Sequence, residues 1–385
     1  MGAGLGLFKI ARRRRSGYAA LCLVTSLLVF IGAAGRANAT PHLYWAGYSG
    51  GTVGRAGLDG THANPNYVTG GSTPCGDVAV SRKYVYWSNY GTSTIGRAAL
   101  NGTHVNQNFI TGANGPCGIA VYSGRLYWVN YSNNTIATSN IGGTAVNESL
   151  ITGASSPCGI KVGGGAIYWG NYGGGSIGRA NINGGQVNQS FIASAGGPCY
   201  GVALNAHFLY WVNYSGNAIA RANLNGTGVD LTFIPGDDYS CGVAISSTHV
   251  YWGNYVLGTI GSATLGGTQV NQSFIADAPG VCGLGIGPPT TTTALKSSPK
   301  PSMAGKQVTY TATVSPTPDG GTVDFTDHGN TIGGCGRVAV NLSTGSATCR
   351  VTYHASGKHT IRAGYSGDQV FVGSRSRKLT QVVKP

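Results

Sequence analysis

Cysteines are the residues of this 385-residue chain whose type and spacing most directly suggest chemistry. Two of them, Cys335 and Cys349, lie near the carboxyl terminus. Six others recur every 41 or 42 residues, each at the head of a short apolar run: Cys75, Cys117, Cys158, Cys199, Cys241 and Cys282. Thiols in such a series can pack as small apolar side chains, pair as disulfides, or hold a metal or a redox centre.

Acid–base catalysis needs carboxylates or histidines that converge, and the sequence offers few candidates. Glu148 and most aspartates are scattered outside the cysteine runs, and Asp77 alone follows a repeated cysteine closely. We interpret Asp77 as an exposed strand residue, and His207 and His249 as solvent-exposed turn residues rather than metal ligands. We therefore predict no catalytic residue, no metal site and no cofactor.

Tyrosine and asparagine repeat with the same interval as the cysteines, in segments such as "YWSNY". Aromatic faces and amides together can stack on sugars or hold an extended peptide, whereas packing between repeats is the alternative for individual tyrosines. The candidate ligand-binding residues are Tyr90, Tyr131, Tyr172, Tyr214 and Tyr255, together with Asn89, Asn130, Asn171, Asn213 and Asn254.

The elements that position these residues follow from the internal repeat. Tyr-Trp pairs begin at six evenly spaced positions: Tyr44, Tyr86, Tyr127, Tyr168, Tyr210 and Tyr251. A period near forty, with four short apolar runs and Gly, Asn or Asp turns in each unit, predicts a four-stranded antiparallel blade. The first unit lacks its innermost strand, and a matching segment occurs at residues 281–287. We therefore predict an all-β, six-bladed β-propeller closed by its C-terminal strand.

The units resemble the YWTD repeats of low-density-lipoprotein-receptor propellers in their Pro-Cys-Gly, Tyr-Trp and Ile-x-x-Ala segments. The position of the family's Thr varies here, and five units carry Asn where the family has Asp. Because asparagine has no charge, a calcium or salt-bridge role of those aspartates is not carried over. The resemblance implies a six-bladed fold and the class of binding or scaffold modules.

Residues 288–385 differ in composition and form a second predicted domain. A Pro- and Thr-rich joint, "PPTTTTALKSSPKPS", precedes about seven alternating runs, which are typical of a β-sandwich. The region resembles bacterial Ig-like domains in "PDGGTVDFTD" and "YSGDQVFVGS". Cys335 and Cys349 are expected to form a disulfide across neighbouring strands.

The state of the six repeated cysteines depends on where their side chains point. Regular alternation along the innermost strand would turn every thiol in the same sense around the ring, each toward the next blade. A disulfide requires Cβ vectors that converge, so this arrangement favours free, packed thiols. Three disulfides between neighbouring blades stay as the second interpretation, and a metal or redox ring as the third.

The first 39 residues have the order of a secretory signal: basic residues, an apolar run and the small-residue site "ANA". Division of the chain also explains its formal charge of +14. Residues 1–39 carry +6, the propeller at 40–287 only +1, and the Ig-like domain at 288–385 carries +7. A nearly neutral propeller does not indicate a nucleic-acid partner. We predict a protein without a stable membrane span after signal cleavage.

The favoured hypothesis is that the chain is a secreted or cell-surface, non-catalytic binding or adhesion protein. It would use the propeller as a protein- or glycan-recognition platform. Its partner would be an extracellular protein or glycan, and the Ig-like domain would act as a spacer or second contact. The protein would be extracellular, either released or associated with the cell wall. The alternative is an extracellular propeller hydrolase or lyase of the lactonase type, because some six-bladed propellers are enzymes.

Overall fold

The computed structural model describes residues 41–236, 239–287, 291–315, 317–318, 320–367 and 371–385. Within these ranges the backbone forms strands and turns. None of the described residues belongs to a helix that is long and apolar enough to cross a membrane. The predicted signal at 1–39 and residues 288–290 of the predicted joint lie outside the described residues.

The region up to residue 287 is built from short strands of two to seven residues. In chain order they are β1 (His42–Gly47), β2 (Thr52–Gly57), β3 (Asn64–Val68), β4 (Ala79–Val80), β5 (Tyr84–Asn89), β6 (Thr94–Ala99), β7 (Asn106–Thr111), β8 (Pro116–Tyr122), β9 (Arg125–Asn130), β10 (Thr135–Asn140), β11 (Asn147–Ile151), β12 (Pro157–Gly163), β13 (Ala166–Asn171), β14 (Ser176–Asn181), β15 (Asn188–Ile192), β16 (Pro198–Leu204), β17 (Phe208–Asn213), β18 (Ala218–Asn223), β19 (Asp230–Pro235), β20 (Ser240–Ile245), β21 (His249–Asn254), β22 (Thr259–Thr264), β23 (Asn271–Ile275) and β24 (Val281–Ile286).

These strands form repeated four-stranded antiparallel sheets, one for each sequence unit. Five sheets follow the chain, in the orders β4-β5-β6-β7, β8-β9-β10-β11, β12-β13-β14-β15, β16-β17-β18-β19 and β20-β21-β22-β23. The first unit has the order β24-β1-β2-β3. In it, Tyr44 pairs with Gly285 and Trp45 with Leu284, so a strand from the far end of the region lies beside β1.

The Tyr-Trp pair stabilises each sheet from its second strand. All six indole rings are at most 1% exposed, because sheets of neighbouring units cover them. The third-strand residue that pairs with the tryptophan is small: Gly54 faces Trp45, and Ala137 faces Trp128. A Cβ on Gly54 would overlap the indole of Trp45. This packing accounts for the small residue that recurs within "TIGRA" and its equivalents.

The carboxy-terminal region forms two further sheets. Its strands are β25 (Thr292–Ser298), β26 (Ser302–Met303), β27 (Gln307–Ser315), β28 (Thr322–Asp327), β29 (Asn330–Thr331), β30 (Val338–Ala339), β31 (Ser346–Thr352), β32 (Gly357–Gly367), β33 (Val372–Arg375) and β34 (Leu379–Lys384). One sheet has the order β25-β27-β31 and the other is built on β26-β34-β32-β28-β29. The two sheets share an apolar core that includes Tyr310, Phe325 and Ile361.

The predicted disulfide between Cys335 and Cys349 is confirmed, with a Cα–Cα separation of 5.4 Å. Its position differs from the prediction. Cys349 lies in β31 of the first sheet, and Cys335 lies in a turn whose carbonyl accepts a hydrogen bond from Phe325 of β28. The bond therefore joins the two sheets across the core rather than neighbouring strands.

Candidate functional site

The six regularly spaced cysteines are paired in the structure. Each bond joins the cysteines that precede or begin two consecutive innermost strands, with Cα–Cα separations of 4.7 to 4.8 Å: Cys75 with Cys117, Cys158 with Cys199, and Cys241 with Cys282. All six are at most 5% exposed. The expectation of free, packed thiols is therefore wrong, and the second interpretation, disulfides between neighbouring units, is the one observed.

A β-bulge explains why alternation failed to predict this pairing. Pro116 pairs with Asn130, but three residues later Ile119 pairs with Trp128, so the register shifts by one residue around Cys117. Gly118 lies inside the shift with a φ of +92°, a conformation that only glycine adopts readily. The bulge turns the cysteine out of the regular alternation. Neighbouring Cβ atoms can then converge within the range that a disulfide needs.

The glycines that follow the cysteines bring the innermost strands into backbone contact. A Cβ added to Gly118 would lie 2.9 Å from the Cα of Gly159, and one added to Gly159 would lie 2.7 Å from the backbone nitrogen of Gly201. The same close approach continues to Gly283, whose own Cβ would overlap Gly76 of the second unit. These strands therefore line a narrow space, which we call the channel.

Two units carry one residue more than the others between the cysteine and the Tyr-Trp pair. The interval from cysteine to tyrosine is 11 residues after Cys75 and Cys199, and 10 residues after the other cysteines that precede a pair. The extra residues are Asp77 in the second unit and Tyr200 in the fifth, because pairing resumes in register at Val202 opposite Trp211 and at Ala79 opposite Tyr86. These insertions were visible in the sequence as 42-residue intervals, and their meaning was missed.

Tyr200 lies among the tyrosines that follow the second strands. Its ring is 6.1 Å from that of Tyr214 in an edge-to-face arrangement. Burial, together with smaller contributions from the neighbouring hydroxyls of Tyr214, Tyr131, Tyr48 and Tyr172, raises the pKa of Tyr200 to about 12. Side chains from several units therefore surround this single inserted ring.

A cavity of about 330 Å³ opens beside Tyr200. We call it the tyrosine mouth; its lining comprises Tyr48, Tyr200, Tyr214, Tyr239 and Tyr255, with Val256 and the disulfide of Cys241 and Cys282. Tyr239 is 54% exposed, so the rim is open to solvent. Among the described residues, no charged side chain lines this cavity. It offers aromatic faces and hydroxyl groups to a ligand.

The structure brings only some of the predicted tyrosines to this cavity. Tyr214 and Tyr255 line it. Tyr172 packs edge-to-face on Tyr214 at 5.9 Å without lining it, and Tyr90 and Tyr131 pack on each other at 6.3 Å. The mouth is thus concentrated in the fifth, sixth and first units instead of being spread evenly around the repeat.

The predicted asparagines do not reach the ligand surface. Asn89, Asn130, Asn171, Asn213 and Asn254 are at most 4% exposed. Asn171 shows their role: its Nδ2 donates to the carbonyl of Gln189 at 2.8 Å, and its Oδ1 accepts from Trp169 Nε1 at 3.0 Å. The amide ties the second strand to the fourth, so we correct the candidate site by removing these five residues. Their burial depends on packing that the repeat pattern does not reveal.

Asp77 is buried, not exposed as interpreted from the sequence; its exposed fraction is 5%. Its Oδ2 accepts a hydrogen bond from the backbone N–H of Ile160, two units away, at 2.9 Å. Oδ1 has no hydrogen-bond partner among the described residues. Burial raises the pKa of Asp77 well above its ordinary value, although the N–H of Ile160 and the charge of Lys161 oppose the shift. The inserted residue therefore spans the channel.

Lys161 is the second charged side chain associated with the channel. It pairs with Tyr168 at the position where four other innermost strands have alanine, such as Ala120 opposite Tyr127. Its side chain is solvent-accessible although protein atoms surround it, as expected for a residue inside a channel. Desolvation lowers the pKa of Lys161, and Asp77 partly restores it. Sequence reasoning missed this lysine because it stands alone in the repeat.

The remaining predicted groups lie apart from the mouth. Glu148 lies on β11, the outermost strand of its sheet, and accepts a hydrogen bond from Asn130 Nδ2 at 2.9 Å. Burial raises the pKa of Glu148. His207 lies in an exposed turn, and His249 begins β21 with its Nδ1 2.9 Å from Thr248 Oγ1. Neither histidine belongs to a group of metal-binding side chains within the described residues.

Comparison with known proteins finds similarities for both regions. Residues 295–384 match the family model of the bacterial Ig-like domain (group 3). A search of curated proteins finds no match to the chain. Among solved structures, one from the crystal structure of a nidogen/laminin complex is similar with a TM-score of 0.56 and 21% identity, covering 64% of this chain and 98% of that one.

The repeated four-stranded sheets therefore have the fold of a propeller, and a region similar to the bacterial Ig-like domain follows them. At 21% identity the likeness to the nidogen/laminin structure shows the fold alone. The chain is more distantly similar to a streptogramin B lyase, with a TM-score of 0.45, 13% identity, and coverage of 78% of this chain and 92% of that one. It is also similar to virginiamycin B lyase from Staphylococcus aureus, with a TM-score of 0.40, 15% identity, and coverage of 76% and 91%.

Proposed function

We propose that this chain is an extracellular, non-catalytic binding protein that recognises a neutral glycan or peptide through the tyrosine mouth. The observation that carries the proposal is the gathering of five tyrosines around one open cavity. Tyrosine combines a flat apolar face with a hydroxyl that donates and accepts hydrogen bonds, which suits sugar rings and extended peptides. An uncharged lining favours a neutral ligand, and we place glycans first.

The mouth belongs, in this proposal, to a closed six-bladed propeller. Two observations support closure: β24 pairs with β1, and the close glycine contacts run from Gly76 through the intervening units to Gly283, which meets Gly76 again. Closure hides the sheet edges that would otherwise pair with other molecules.

Two truncations test closure with a matched control. A chain that ends at residue 287 retains β24 and should melt cooperatively and remain soluble. A chain that ends at residue 280 lacks β24, exposes the edge of β1 that β24 covers, and should aggregate. Equal melting and solubility of the two truncations would contradict the closed ring.

The proposal places the protein outside the cell. Residues 1–39 have the order of a secretory signal, and four disulfides are typical of proteins from oxidising compartments. The Ig-like domain would act as a spacer or second contact, whether the protein is released or held on the cell wall.

A glycan and peptide array probed with the mature protein tests recognition. Once a ligand is found, the triple variant Tyr200→Ala, Tyr214→Ala, Tyr255→Ala should bind at least tenfold more weakly, since each lost aromatic contact costs about 0.5 to 1.5 kcal/mol. The control variant Tyr90→Ala removes an aromatic ring outside the mouth and should bind within about twofold of wild type. A folded triple variant with unchanged affinity would exclude the mouth.

The second candidate function is an extracellular hydrolase or lyase of the lactonase type. It is favoured by one observation, an acidic and a basic side chain, Asp77 and Lys161, whose charges each oppose the pKa shift that burial causes in the other. The compounds that bind on the array would be supplied in solution, and the protein would be assayed for their turnover. Activity that disappears in Asp77→Asn while mouth binding persists would assign the protein to the enzymes.

A further inference from the structure

The Ig-like domain carries a cluster of three metal-ligating side chains that the mouth does not use. Asp327 ends β28, His328 follows it in the turn to β29, and His359 lies on the neighbouring strand β32. One potential ligand atom from each of the three lies within 4.8 Å of the other two. Neither histidine was singled out by the sequence pattern, because His359 is 31 positions from His328 in the chain and meets it only when the strands pair.

Sheet register and turn geometry bring the three side chains together. Asp327 pairs with Ile361, so His359 is its diagonal neighbour on the adjacent strand. The turn after Asp327 has a φ of +48° at His328 and +96° at Gly329, the signs that a two-residue hairpin turn requires. This turn folds the His328 ring back onto the Asp327 carboxylate.

The resulting distances are short. His328 Nδ1 lies 2.9 Å from Asp327 Oδ1, and His359 Nδ1 lies 2.6 Å from Asp327 Oδ2. Two ligands bound to one zinc ion at about 2.0 to 2.2 Å stand roughly 3.0 to 3.4 Å apart in octahedral or tetrahedral geometry. An ion can therefore enter between these atoms with shifts below about 1 Å, after the imidazole protons move to Nε2.

Surrounding contacts hold two of the three groups in place. The backbone N–H of Thr360 donates to Asp327 Oδ1 at 3.2 Å. The His359 ring stacks on Tyr353 at 3.8 Å, and the Tyr353 hydroxyl lies 3.0 Å from that of Tyr310. The side chain of His328 is 58% exposed, which leaves a path from solvent. Oriented ligands with an open side are the usual features of a metal site.

We propose that Asp327, His328 and His359 bind a divalent transition-metal ion of the zinc class at this edge of the Ig-like domain. Two imidazoles and one carboxylate suit Zn²⁺, Co²⁺ or Ni²⁺, whereas Ca²⁺ and Mg²⁺ prefer oxygen ligands alone. The cysteines of the described chain are in disulfides and do not compete for the ion. Three protein ligands leave at least one position for water or another ligand.

Calorimetric titration with ZnCl₂ tests the site, using the mature protein without a polyhistidine tag and after treatment with a chelator. Wild type should bind one ion per chain, and CaCl₂ should give no saturable heat. His359→Gln and His328→Gln should each weaken Zn²⁺ binding at least tenfold. The matched control His354→Gln changes an exposed histidine of the same domain and should leave the affinity unchanged.

Cobalt provides a second readout that does not depend on calorimetry. Co²⁺ bound to wild type should show a visible absorption band that His328→Gln lacks. Because the His328 side chain is exposed, its replacement should not unfold the domain, so loss of the band would report loss of the metal ligand. Absence of saturable Zn²⁺ binding by wild type would overturn the proposal. Equal affinity in all three histidine variants would also overturn it and leave Asp327 as a carboxylate that only accepts two imidazole hydrogen bonds.

Discussion

The second and fifth units of the propeller depart from the other four in the same way but with different results. Each has one extra residue beside its cysteine and glycine. In the second unit, Asp77 enters the channel and accepts a hydrogen bond from Ile160. In the fifth unit, Tyr200 joins the tyrosines of the mouth. One inserted residue therefore places a carboxylate in the interior of the second unit. The equivalent insertion in the fifth unit places an aromatic ring at the surface.

This difference shows where a repeat protein acquires distinct chemistry. The repeated Trp, Asn and small third-strand residues are buried and build the sheets. The side chains that make one unit unlike the others come from two insertions and one substitution, Asp77, Tyr200 and Lys161. Each insertion also adjoins a different disulfide, which allows the two units to be tested separately.

The largest effect is expected from removal of either disulfide. Each bond closes a loop with a sequence separation of 41 or 42 residues, which corresponds to about 4 kcal/mol of stability in the chain-entropy description. Cys75→Ser with Cys117→Ser should lower stability but preserve mouth binding. Cys158→Ser with Cys199→Ser should lower stability similarly and also weaken binding, because Tyr200 follows Cys199 directly.

Chemical denaturation gives the stability of both double variants, and titration with an array-derived ligand gives their affinity. Thiol labelling of denatured, unreduced wild type supplies the control and should detect no free cysteine in the mature chain. Equal loss of affinity in the two double variants would show that the two units do not act separately.

An intermediate effect is expected when each inserted side chain is removed. Tyr200→Ala should weaken ligand binding about three- to tenfold, in line with the loss of one aromatic contact. Asp77→Ala should leave affinity within about twofold but cost about 1 to 3 kcal/mol of stability, because the N–H of Ile160 loses its acceptor. Affinity and melting temperature of both variants measure this contrast, and the reverse pattern would refute it.

The smallest effect concerns the pH dependence of stability. Burial raises the pKa of Asp77, so the native chain retains this proton at pH values where the unfolded chain, with an ordinary pKa near 4, has lost it. The group's contribution to the free energy of unfolding is therefore complete below the pKa of the unfolded chain. It declines as pH rises from that value through the native pKa. Asp77→Asn keeps an acceptor for Ile160 and removes the titration.

Denaturation of Asp77→Asn and wild type between pH 4 and pH 7 should show the variant gaining stability relative to wild type as pH rises. Each unit of pKa difference corresponds to about 1.4 kcal/mol. Asp230→Asn changes an exposed carboxylate on β19 and serves as the control. Parallel pH profiles for Asp77→Asn and wild type would argue against a strongly shifted carboxyl group.

Much of the architecture could be predicted from the repeat. The Tyr-Trp interval, the turn residues and the alternating carboxy-terminal runs indicated four-stranded sheets followed by an Ig-like region, and both are observed. These features are local, because strand and turn preferences depend on residues close in sequence. The candidate site was predicted less well: Tyr214 and Tyr255 line the mouth, whereas Tyr200 and Tyr239 were not proposed as ligand-binding residues.

The sequence by itself determined the all-β class, the repeated unit and the position of each cysteine and tyrosine within that unit. Only the tertiary structure decided that the cysteines form disulfides, that Asn171 and its equivalents are buried, and that His359 lies beside Asp327. The physical reason is that a one-residue bulge reverses the direction of a side chain, and register between distant strands sets its neighbours. Both depend on packing between units, which a single repeat does not encode.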